Sequence, residues 1–226
     1  MKPQKETISE SQFETFCQRE GFAFSRVLES SARRPDYTVA LKNTKLIVEV
    51  KELQPTKEEW SVIRCDPGIF DGSLAYHWGI PGEKIRKKIS DANPQLKALS
   101  KSELPSLLVL HDPVQFWPEL LDSDSVRAAM YGIESALISP VPASGGGATV
   151  LKRWHGGRKK LTDNDNTSLS AIGILLLQDG QLGLDIFHNW YATVPLEPSY
   201  FSSDNIRHFR LETCPTKALT DWVAAI

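Results

Sequence analysis

Three side chains in the first quarter of the chain have the types and spacing for phosphodiester chemistry. They are Asp36 in Pro35-Asp36-Tyr37-Thr38-Val39-Ala40, and Glu49 and Lys51 in Leu46-Ile47-Val48-Glu49-Val50-Lys51. Two hard carboxylate oxygens suit Mg²⁺ or Mn²⁺, which keeps several waters and takes its remaining ligands from a phosphate. Such an ion polarises the phosphate and lowers the pKa of a bound water. A lysine beside it stabilises charge developing on the phosphorus oxygens or orients the water. Lys51 is therefore assigned a positioning or electrostatic role, with general base as the alternative.

Strand geometry decides whether the three can meet. Successive side chains of a strand point to opposite faces, so Leu46, Val48 and Val50 share one face, and Ile47, Glu49 and Lys51 the other. The run from Asp36 to Leu41 is rich in strand formers, and Asn43-Thr44 between two lysines reads as a hairpin turn. Closure around those two residues pairs Leu41 with Leu46, Thr38 with Glu49, and Asp36 with Lys51. All three functional side chains then share a face. An odd loop would send Asp36 to the opposite one. The bland alternative is an ordinary ion pair between Asp36 and Lys51, with Glu49 solvated.

At Pro35-Asp36 and Glu49-Val50-Lys51 the sequence resembles the PD-(D/E)xK nuclease superfamily, the group with the restriction-endonuclease-like fold. The resemblance spans roughly residues 9–112. It implies an α/β chain with an αβββαβ core and a mixed central sheet, dependence on Mg²⁺ with Mn²⁺ as a substitute, and hydrolysis of DNA or, less often, RNA. It further implies metal contacts at Asp36, Glu49 and Val50, and a glutamate on the first helix facing the metal. Glu10 matches that glutamate best, with Glu14 one turn further along. The helix after the E-x-K element often supplies a polar or basic residue, for which Gln95 and Lys88 are the candidates. A catalytically silent binding module with the same fold is the alternative.

The surrounding elements fit such a core. Phe13, Phe16 and Cys17 form a helical stripe that Ser9 or Ser11 can cap and Gly21 ends. A strand is expected within 21–28. Residues 52–82 form a long aromatic connection containing Trp60, Phe70, Tyr76, His77 and Trp78, read as a packed insertion rather than a lid. Ile85, Ile89, Ala92, Leu96 and Leu99 predict an amphipathic helix, which Pro94 should kink or restart with Asn93 as a new cap. Lys84, Lys88, Asp91 and Gln95 share one flank of it. Residues 104–110 read as a buried strand parallel to the Val48 strand.

Beyond His111 the sequence says more about structure than function. A capped helix is expected over 123–133, a hairpin over 171–188, and a closing helix over 216–226 using Ala218, Leu219, Trp222, Val223 and Ile226. Residues 113–226 are taken as an extension of the same domain, lengthening its sheet. The segment from Leu151 to Lys160 mixes basic, aromatic and glycine residues. It is read as an exposed strand pair joined at Gly156-Gly157, and Arg158 and Lys159, with Lys84 and Lys88, are candidate nucleic-acid contacts. Asp163-Asn164-Asp165-Asn166 lacks the glycine and terminal glutamate of a calcium loop.

Composition bounds the reading. Of 226 residues, 26 are basic and 28 acidic, a net charge of −2 that argues against indiscriminate DNA binding but allows local basic patches. Three scattered cysteines suggest neither a disulfide framework nor a zinc site. No apolar run is long enough for a membrane span, so a cytoplasmic protein is expected. The expected partner is DNA, with a homodimer or a larger nuclease complex conceivable for cutting both strands.

Overall fold

The computed structural model describes residues 6–27, 34–55, 57, 80–99, 103–113, 121–139, 149–178, 180–216 and 220–225. The aromatic connection, with His77, lies almost wholly outside them. Helix α1 (Ile8–Arg19) leads into strands β1 (Phe24–Arg26), β2 (Tyr37–Ala40) and β3 (Lys45–Glu52). Helix α2 (Glu83–Leu99) and strand β4 (Ser106–His111) follow. The second half contributes α3 (Ser123–Tyr131), β5 (Glu134–Ile138), β6 (Val150–His155), β7 (Ala171–Gln178), β8 (Gln181–His188), β9 (Ile206–Leu211) and β10 (Trp222–Ala224).

These elements make a mixed α/β structure around a sheet of eight strands, ordered β1-β2-β3-β4-β7-β8-β9-β10. The sheet therefore runs unbroken from one half of the chain into the other. β4 is parallel to both β3 and β7, and each of its six residues is buried, as expected of a strand covered on both faces. Gly173 fits the same crowding: a Cβ there would lie 3.1 Å from Leu184 Cδ1. One face of the sheet packs Leu46, Val48 and Val50 against Phe13 and Phe16 of α1. The other packs Ile47, Leu108 and Leu110 against Ile85 and Ile89 of α2 and Val126 of α3. The alternation expected of β3 is thus realised on opposite cores.

Several boundaries differ from the sequence expectations. Thr7, not Ser9 or Ser11, caps α1, because its hydroxyl accepts the Glu10 N–H at 3.2 Å while Glu10 Oε2 accepts the Thr7 N–H at 2.6 Å. α2 runs through Pro94 as one helix without restarting at Asn93, its stripe of Ile85, Ile89, Ala92 and Leu96 being held down along its length. α3 starts at an Asp122 cap and ends at Gly132, whose φ of +103° is costly for other residues. The expected closing helix is absent among the described residues; Trp222–Ala224 instead forms the edge strand against β9. Tertiary packing wins there, since Trp222 sits 5.0 Å from Phe187 between ring centroids and donates its indole N–H to the Ser123 carbonyl at 2.9 Å. Nor does a strand pair turn at Gly156-Gly157. β6 pairs backwards with β5 in a separate two-stranded sheet, and residues 158–160 are not strand. The 171–188 hairpin forms as read, in register from Ala171–His188 to Gln178–Gln181. Among the described residues no helix is long and apolar enough to cross a membrane.

Candidate active site

The hairpin register is the first determinant of the site. Thr38 stands opposite Ile47 and Tyr37 opposite Val48, so Asp36 lies one step beyond the last pair, level with Glu49. The expected pairing of Asp36 with Lys51 and Thr38 with Glu49 is therefore corrected by two residues. Closure occurs one residue earlier than read, with the Leu41 N–H donating to the Thr44 carbonyl around Lys42-Asn43. A slip of two preserves the faces, whereas a slip of one would have exchanged them. Asp36, Glu49 and Lys51 consequently remain together.

Hydrogen bonding fixes this arrangement. Ile47 donates its N–H to the Pro105 carbonyl just before β4 and Leu53 to the His111 carbonyl at its end, so the even-numbered residues of β3 turn their peptide groups towards β2. β2 begins only at Tyr37, which leaves the peptide of Val50 beyond its reach. Asp36 fills the gap: its Oδ2 accepts the Val50 N–H at 2.8 Å. The Val50 carbonyl lies on that same side, because a strand residue's N–H and C=O point together. Lys51 Nζ donates to Glu49 Oε1, two residues back on the same face.

The electrostatics are tense. Glu49 is 0 % exposed, and its second oxygen, Oε2, has no hydrogen-bond partner. Burial, and then the neighbouring Asp36, push its pKa up to about 7, against the pull of Lys51. Burial likewise raises Asp36, opposed by the Val50 N–H and Lys51. Lys88 is lowered by its own burial, with Asp91 opposing and Lys51 and Lys87 adding repulsion. Burial raises both carboxylates, and Asp36 further hinders the ionisation of Glu49, whose Oε2 is left without a partner; a divalent cation relieves such an environment.

A cleft of about 490 Å³ opens over these groups at the carboxyl end of β3. Asp36, Val50 and Lys51 line it from the sheet, Glu10 from α1, and Lys84, Lys88 and Gln95 from α2. The question of Glu10 or Glu14 is answered by position. Glu10 faces the cleft, whereas Glu14 accepts from the Tyr37 hydroxyl at 3.0 Å and from Arg26 Nε. Arg158 and Lys159 are not in this cleft. They line a neighbouring one of about 410 Å³, which shares Lys87 with the first.

Sequence reasoning missed the support beneath the cleft. Glu52 Oε2 accepts from Ser9 N–H at 3.3 Å and Ser9 Oγ at 3.1 Å, and Ser9 Oγ lies 3.0 Å from His111 Nδ1. The hydroxyl hydrogen goes to Glu52, which leaves His111 as the Nδ1 donor. Glu52 and His111 are direct neighbours in the parallel β3–β4 pairing, so this chain ties the start of α1 to the strand ends. Glu10, one residue beyond Ser9, is held at the cleft by that tie. The available signal was position: both residues end adjacent parallel strands, where α/β sheets place their ligands.

Asp36, Glu49 and the Val50 carbonyl offer hard oxygen donors only. Among the described residues, no group of three or more His, Cys, Asp and Glu side chains is placed to hold a metal ion. The donor set suits a cation that takes one or two carboxylates and completes its shell with water and phosphate, as Mg²⁺ does, rather than an all-protein cage. Comparisons with protein-family models, curated proteins and solved structures found no match for this chain.

Proposed function

We propose that this protein is a divalent-metal-dependent nuclease that hydrolyses phosphodiester bonds in DNA, with a restriction-endonuclease-like core. One observation carries the reading. Asp36, pinned to the Val50 N–H, and Lys51 line one cleft at the end of β3, and Lys51 is paired with Glu49 buried behind it. The order α1-β1-β2-β3-α2-β4, with β1–β3 antiparallel and β3–β4 parallel, supports the core assignment.

Asp36 and Glu49, with the Val50 carbonyl, would hold Mg²⁺ or Mn²⁺. When bound, that ion supplies charge to polarise the phosphate and acidify water. The chain's own residues do the rest. Lys51 is held beside Glu49 Oε1, where its ammonium stabilises negative charge on the phosphate oxygens. Lys84 and Lys88 draw the anionic substrate into the cleft, and Gln95 offers hydrogen bonds to it. Glu10 adds negative charge near Asp36, contributing to the rise in its pKa, and so favours a cation there.

The test is incubation with plasmid, linear duplex, single-stranded DNA and RNA, in Mg²⁺ or Mn²⁺, beside an identically purified Lys51→Ala variant. DNA should be cut by the native chain and spared by the variant. Cleavage surviving in Lys51→Ala rejects the assignment of the site. No cleavage of any substrate, with binding retained, favours a silent binding module.

A further inference from the structure

Besides the buried Arg86, the neighbouring cleft holds four cationic side chains, Lys87, Arg158, Lys159 and Lys160, against one exposed acid, Glu83. In a chain of net charge −2 that concentration is local and one-sided. We propose that these four side chains form a wall that holds the sugar–phosphate backbone flanking the scissile phosphate. The substrate is then a polymer gripped beside the cut rather than a mononucleotide. The identity of the ligand rests on the nuclease reading above.

Rigidity distinguishes this wall from a solvated basic loop. The Gly156 N–H donates to the Ile133 carbonyl at 2.7 Å, the Lys160 N–H to Ala129 at 3.1 Å, and the Leu161 N–H to Met130 at 2.8 Å. Asn166 Nδ2 closes the other side by donating to the Lys160 carbonyl at 2.6 Å. Residues 156–161 are thereby strapped to the end of α3. A Cβ at Gly132 would lie 2.4 Å from the Gly156 carbonyl oxygen, so the strap needs glycine there.

α2 is locked to the same helix. Arg86, 3 % exposed, donates to the Ala128 carbonyl at 3.0 Å and the Pro81 carbonyl at 2.5 Å. A Cβ at Gly82 would sit 2.5 Å from the Ser125 carbonyl oxygen. Glu83 Oε2 spans the two walls, 3.0 Å from Arg86 and 3.5 Å from Arg158. Lys87, Lys159 and Lys160 form no ion pair with another described residue. Lys87 reaches both clefts, so a backbone lying along the wall leads to Asp36 and Lys51. Contacts of this kind position a duplex or single strand without reading its sequence.

The test compares two charge-matched pairs by fluorescence anisotropy on labelled duplex and single-stranded DNA, with chelator present so that no cutting occurs. Arg158→Gln/Lys159→Gln removes two wall charges. Lys152→Gln/Arg153→Gln removes two exposed charges from β6, outside both clefts. The wall pair should weaken binding about tenfold or more at moderate salt and lower the duplex salt slope by about 1.8, roughly 0.9 per contact. The β6 pair should bind as the native chain does, and melting temperatures of all three should agree. Equal weakening by both pairs, no weakening by the wall pair, or no binding by the native chain would overturn the proposal. The outcome is independent of cleavage: a wall effect without cutting in any metal rejects the nuclease reading alone, and cutting without a wall effect rejects the wall alone.

Discussion

The two faces of β3 are put to opposite uses. Leu46, Val48 and Val50 meet Phe13 and Phe16 in an apolar core, so their burial stabilises the fold. On the reverse face Ile47 starts the same way, but Glu49 follows, fully buried with an unpartnered oxygen and a carboxylate neighbour. One strand thus anchors the protein with its even residues and holds a charge-strained cleft with its odd ones. The apolar face can tolerate that strain because β3 is also paired on both edges, with β2 and β4.

The sharpest way to break the contrast is through chemistry. Asp36→Asn, Glu49→Gln and Lys51→Ala should each lower the cleavage rate by about 10³-fold, the scale of a lost electrostatic contact in a transition state, while leaving the fold cooperative. Initial rates on plasmid DNA check this. The converse change, Phe16→Ala on the apolar face, should cost about 3–5 kcal/mol in urea unfolding. Its cleavage rate per folded molecule should stay near that of the native chain.

The strain itself is visible in the pH dependence of stability. Glu49 is raised from 4.5 to about 7, so between those values the folded state holds more protons than the unfolded one. The stabilisation from its neutral carboxyl is complete below 4.5 and is lost as pH rises through about 7. In chelator, stability should therefore fall over that window, by on the order of 3 kcal/mol if Glu49 acts alone. Glu49→Gln should flatten the fall, so that the variant gains on the native chain between pH 5 and pH 8; parallel curves would contradict it. A smaller effect is expected at Thr7. Thr7→Ala removes the α1 cap at a cost of about 1 kcal/mol and frees Glu10, with only a few-fold loss of cleavage.

The contrast between faces was legible in the sequence because strand alternation depends on local parity alone. The register was two residues out, since Lys42-Asn43 and Asn43-Thr44 are both acceptable turn centres, yet parity survived and the trio stayed together. The same locality explains the failures. Trp222 and Val223 fit a helical stripe as well as a strand, and contacts distant in sequence, with Phe187, Ser123 and the free edge of β9, decide between them. The Ser9–Glu52–His111 tie joins three elements and carries no local pattern. Arg158 and Lys159 were readable as cations, but their separation from the carboxylate cleft and their link through Lys87 required the packing of α2 on α3.

The central claim is that the strained face of β3 exists to hold a divalent cation. Isothermal titration of Mn²⁺ into the native chain and into Asp36→Asn/Glu49→Gln, repeated near neutral pH in two buffers of different ionisation heat, tests it most directly. The native chain should bind one ion and release protons as Glu49 ionises, with both signals lost in the double variant. Unchanged binding in that variant, or no binding by the native chain, would contradict the account.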